Sequence, residues 1–104
     1  MGWASGYIER LRKGETVSFR PRGHSMKGKV ASGQLCTVAP FASEAEREAL
    51  AVGDIVLCKV HGSEYLHLVV ARQPGRFQIG NNRGNINGWV GPNAIFGRLV
   101  ALGD

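Results

Sequence analysis

"DIVLCKVHGSEYLHLVVARQPGRFQIG", residues 54–80, decides the fold. Three runs rich in β-branched, Leu and aromatic residues, "DIVLCKV", "YLHLVVA" and "RFQIGN", are divided only by "HGSE" and "RQPG". Gaps this short join strands as hairpins, because a parallel crossover needs a dozen residues or more. The region therefore reads as part of a sheet or partly closed barrel, favoured over βαβ units.

Working outward, the period stays near two. "TVSFRPR" (16–22) alternates Val17 and Phe19 with polar neighbours until Pro21 and Gly23 break it, and "GQLCTVAPF" (33–41) is a strand ended by Pro40. "IFGRLVAL" (95–102) closes the set at about six strands, with "NNRGNINGWVGPN" (81–93) read as a long hairpin loop. Two segments are helical. "WASGYIERLRKGE" (3–15) places Trp3, Tyr7 and Leu11 at i, i+4, i+8 and stops at Gly14. "ASEAEREALAVGD" (42–54) carries Ser43 and Glu46 at capping-box spacing and stops at Gly53. The expected fold class is mostly β: twisted sheets or a partly closed barrel, behind a short N-terminal helix. At 104 residues the chain suits a single domain over 1–104, with a helical segment at 1–14 and a β domain at 16–100.

Composition bounds the function classes. Hydrophobic content of 43% and charged content of 20% are those of a globular domain with one modest core. No apolar run approaches the ~20 residues that span a bilayer, and no signal-peptide pattern is present, so a cytoplasmic protein is expected. Cys36 and Cys58 lie in apolar strands and read as buried reduced thiols. Three histidines and two cysteines lack zinc-site spacing, so no metal and no cofactor is expected. Net charge is +5, and seven of the thirteen basic residues lie between Arg10 and Lys29 against one acid, Glu15. Such a segment suits a solvated face, or contact with nucleic acid or another anionic surface. Nucleic-acid binding is not favoured, because no recognition helix or aromatic-rich RNA-binding strand accompanies it.

Candidate chemistry centres on "GHSMKG", residues 23–28. A serine hydroxyl is nucleophilic only when a base within hydrogen-bond reach takes its proton. The segment is not the G-x-S-x-G elbow, since Lys27 stands where the last glycine belongs. Strand alternation in "YLHLVV" puts Tyr65, His67 and Val69 on one face and Leu66, Leu68 and Val70 on the other. His67 is thereby able to face the Ser25 loop. Lys59, one strand earlier, is the rival base. His24 is a poor base, because neighbours in an extended segment point apart, and His61 in the "HGSE" turn is expected to be exposed.

"GHSM", "SGQLCTVAP", "VGDIVLCKVHGSEYLHLVV" and "GRFQIGNNRGN…AIFGRLV", in that order, resemble the superfamily shared by bacterial signal peptidases and LexA-type self-cleaving repressors. The resemblance runs from about Thr16 to Val100. It implies the mostly-β peptidase fold of that superfamily and a small serine endopeptidase cutting an extended peptide with small residues before the bond. It places the nucleophile at Ser25 and the base at His67, the histidine version of a slot that holds lysine in most bacterial members. A histidine near pKa ~6.5 needs no large shift to act as a base at neutral pH, whereas a lysine does. It makes Asn81 the candidate orienter of the imidazole, the Ser25 backbone N–H an oxyanion donor, and Gly23, His24 and Met26 substrate-binding.

Three positions depart from the pattern: Asn81 replaces the aspartate of a "G-D-N" turn, Leu68 an arginine, and Gly33-Gln34 a Gly-Asp pair. An amide can hold an imidazole but cannot stabilise its cation as a carboxylate does. A second reading is therefore open, a peptidase fold that binds a peptide or partner protein without cutting. A third is a basic accessory protein touching nucleic acid. The substrate or partner is in every case unidentified.

Overall fold

The computed structural model describes residues 2–104. Helix α1 (Ser5–Arg12) is followed by β1 (Val17–Phe19), β2 (Cys36–Ala39), α2 (Glu44–Glu48), β3 (Ile55–Val60), β4 (Ser63–Gln73), β5 (Arg76–Gly80), β6 (Ile86–Val90), a 3-10 turn at Pro92–Ala94, and β7 (Ile95–Leu102). All seven strands lie in one antiparallel sheet of order β1-β2-β7-β3-β4-β5-β6. The expected mostly-β fold with its N-terminal helix is present. The sheet stays open, so β1 and β6 are its edges. Among the described residues no helix is long and apolar enough to cross a membrane.

The central meander forms as its sequence dictates. β3 and β4 pair from Ile55↔Leu68 to Val60↔Ser63, leaving His61-Gly62 as a two-residue turn. Both turn residues have positive φ, 50° and 84°, which matches the right-handed twist of the flanking strands. Alternation sorts side chains between two cores. Leu57, Leu66 and Leu68 join the first with Leu11, Val38 and Phe96, while Val56, Cys58 and Val69 join the second with Phe77, Ile79 and Ile95. The sheet is thus buried on both faces along β3 and β4. Ser43 caps α2 as its spacing predicts, its Oγ accepting from the Glu46 N–H at 3.1 Å.

One strand was not legible in sequence. "INGWV", inside the segment read as a loop, is β6, paired with β5 through Ile79↔Gly88 and Phe77↔Val90. Gly88 breaks the hydrophobic run, but its φ of 144° and lack of a side chain serve the fold. A Cβ there would stand 3.0 Å from His61 Nε2, so the β3–β4 turn packs directly against β6. Register shifts between Val69 and Ala71, and between Ile79 and Gly80, curl this end of the sheet. β6 is carried back over the β3–β4 hairpin, and its side chains reach β4.

Candidate active site

Ser25 sits in a run of turns between β1 and β2. His24 C=O accepts from Lys27 N–H at 3.1 Å, and Met26 C=O accepts from both Lys29 N–H at 2.9 Å and Val30 N–H at 2.8 Å. Met26 and Val30 bury their side chains in the first core, at 5% and 4% exposure, which anchors the turn and holds the residue between them and β1 at the surface of β4. Asn82 holds the loop from the other side. Its N–H donates to Ser25 C=O at 3.0 Å and its Nδ2 donates to Lys27 C=O at 2.8 Å.

The hydroxyl and the imidazole meet. Ser25 Oγ lies 3.2 Å from His67 Nε2, and His67 Nδ1 lies 2.7 Å from Asn87 Oδ1. With Nδ1–H donating to the Asn87 oxygen, the Nε2 lone pair is left to accept the Ser25 proton. His67 is only 6% exposed, and the Tyr65 ring stacks on it, centroids 4.7 Å apart at 25°. Burial pushes the imidazole below its ordinary 6.5, opposed in part by the bond to Asn87, which favours the cation. At neutral pH the ring is therefore neutral and basic.

The orienting role expected of Asn81 is corrected: Asn87 holds the ring. Asn81 instead knots its own loop, its Oδ1 accepting from Arg83 N–H at 2.9 Å and Asn85 N–H at 3.0 Å while its N–H donates to Asn85 C=O at 2.9 Å. That knot sets the position of the adjacent Asn82, so Asn81 supports the Ser25 loop and not the imidazole. Lys59 does not approach the serine. It is exposed near the hairpin turn, opposite Glu64, on the other side of the strand from Val56, which faces His67. His61 is exposed, as its turn requires. Asn87 and Asn82 were both missed; the only signal was the β-branched and aromatic flanking of Asn87-Gly88 by Ile86, Trp89 and Val90.

A cavity of about 590 Å³ opens beside the pair. Gly23, Ser25, Met26 and His67 line it, while the exposed His24 is not among the lining residues. The His24 carbonyl closes the turn. One wall is an unfilled strand edge. β5 pairs with β4 only from Leu68 onward, so residues 64–67 have β3 on one side and the cavity on the other. Val69 bonds toward β3, through Gly53 and Asp54, so by alternation Leu66 turns its N–H and C=O to the cavity side. The Ser25 N–H has no acceptor among the described residues.

Among the described residues no group of three His, Cys, Asp or Glu is assembled that would hold a metal ion. Cys36 and Cys58 are free and buried, and burial lifts the Cys58 thiol to about 12, far from reactive thiolate. No family model, curated protein or solved structure matches this chain.

Proposed function

We propose that the chain is a serine endopeptidase of the signal-peptidase and LexA kind, with Ser25 as nucleophile and His67 as general base, then acid. The observation that carries this is the relay Ser25 Oγ–His67 Nε2 at 3.2 Å and His67 Nδ1–Asn87 Oδ1 at 2.7 Å, in a ring kept neutral by burial. An extended peptide adds beside Leu66, using main-chain bonds to the bare edge of β4. Ser25 Oγ attacks the carbonyl carbon as its proton passes to Nε2, and the oxyanion accepts from the Ser25 N–H. The C–N bond then breaks, His67 returns the proton to the leaving amine, and water attacks the acyl ester by the same route in reverse.

Asn87 fixes the tautomer, yet as a neutral amide it stabilises the imidazolium less than a carboxylate. That single feature favours the second reading, a module that binds an extended peptide without cutting it. The two separate in one experiment: wild type and Ser25→Ala are incubated with a library of Ala-rich extended peptides and the products read by mass spectrometry. Cleavage by wild type alone supports the peptidase. Binding by both proteins with cleavage by neither refutes it in favour of the module.

A further inference from the structure

The end of the cavity toward Glu64 is built by Trp3, just ahead of α1, by Tyr7 on α1 and by Phe19 on β1. Trp3, half exposed, meets Phe19 edge-on at 5.5 Å between centroids, and Tyr7 stacks on Phe19 at 4.6 Å. All three line the cavity. Trp3 Nε1–H also donates to the Glu64 C=O at 3.0 Å, on the edge of β4 that Leu66 shares. A peptide pairing with that edge from His67 toward Glu64 is stopped there, because the next acceptor is taken. Glu64 and His67 are three residues apart, about 10 Å along a strand, which matches about three residues of extended peptide.

The charges at this end are unequal. Glu64, 6% exposed, is occupied: its Oε1 accepts from Ala4 N–H at 2.7 Å and its Oε2 from the Ser5 hydroxyl at 2.8 Å. Arg20 and Arg22 are both exposed in the lining, Arg20 donating to the carbonyls of Gly33 and Asp104 at 3.0 and 2.7 Å. The groove therefore presents an aromatic wall and positive charge.

We propose that the aromatic cluster around the start of α1 forms the specificity subsite of this groove: Trp3, Tyr7 and Phe19 receive a bulky apolar side chain about three residues from the bond presented to Ser25, in a peptide with an acidic rather than a basic flank. This takes from the proposed function only the extended peptide and its place along β4. It departs from the small side chains that the family resemblance leads one to expect throughout. Selectivity resides in Trp3, in Tyr7 on α1 and in Phe19 on β1, outside the loop that carries the serine.

The test measures binding, so it does not depend on cutting. Fluorescein-labelled octapeptides of Gly and Ala, ending in Glu, carry one Phe moved through each position, and are titrated into Ser25→Ala protein by polarisation. One position of Phe is expected to bind about tenfold to hundredfold tighter than the all-Ala peptide, the gain from burying most of one aromatic side chain. Trp3→Ala and Tyr7→Ala should each cut that preference to about threefold or less, and exchanging the flanking Glu for Lys should weaken binding. If Tyr7→Ala fails to fold by its melting transition, Trp3→Ala, whose side chain is half exposed, decides the matter. No gain at any Phe position, or a preference that survives Trp3→Ala, overturns the subsite. A tight Phe peptide that wild type leaves uncut supports the subsite while refuting the peptidase.

Discussion

Exchanging Asn87 for aspartate would place a carboxylate where an amide oxygen now sits 2.7 Å from His67 Nδ1. With charge centres about 4 Å apart and an effective dielectric of about 20, the attraction is roughly 4 kcal/mol, or about 3 pKa units. Burial of the added charge works against it, so a net rise of about 1 to 3 units is expected. The native imidazole titrates below 6.5 because it is desolvated. In the Asn87→Asp protein its titration should therefore move up through the neutral range, and the acid limb of any cleavage profile should move with it. The assay is an NMR titration of the His67 ring proton in both proteins, run beside the pH dependence of peptide cleavage. The plateau rate should also rise, since the carboxylate stabilises the imidazolium formed as Ser25 attacks. A His67 titration that stays put or moves down would refute the assignment of Asn87 as the group holding the ring.

Asn87→Leu should lower cleavage by about 10²- to 10⁴-fold, because the Nδ1–H loses its acceptor and the ring is free to turn an N–H toward Ser25; steady-state rates above the His67 titration check this. Ser25→Ala and His67→Ala should each remove cleavage by at least about 10³-fold in the same assay, and a wild-type rate in either would dismiss the dyad. His67 titrates lower folded than unfolded, so between those values the unfolded chain binds more protons. Stability should therefore fall as pH drops below 6.5, and urea midpoints at pH 7.5 and 5 should differ less in His67→Gln. Leu57→Ala, fully buried on the first core, should cost about 2 to 5 kcal/mol in urea unfolding without altering the His67 titration.

Part of the geometry of the candidate site was legible in the sequence. Strand alternation put His67 on the face of Tyr65 and Val69, and the ring does stack on Tyr65. The family resemblance named Ser25 and His67, forty-two positions apart, and their side chains lie within hydrogen-bond reach. The supporting shell was not legible. Four asparagines, 81, 82, 85 and 87, crowd one Gly-rich segment, and nothing in their order says which faces the imidazole. The resemblance points to position 81, where the pattern has an aspartate, but Asn81 bonds to its own loop.

What the sequence alone determined is what short-range physics controls: β-branched alternation makes strands, the short gap "HGSE" turns the chain back, and Ser43 caps a helix. What only tertiary structure decided is which distant groups meet at the ring. That choice depends on two bulges and the close approach permitted by Gly88, which swing an edge strand over the hairpin. A shift of one residue in that pairing would turn Asn87 to the opposite face, because strand side chains alternate with a period of two.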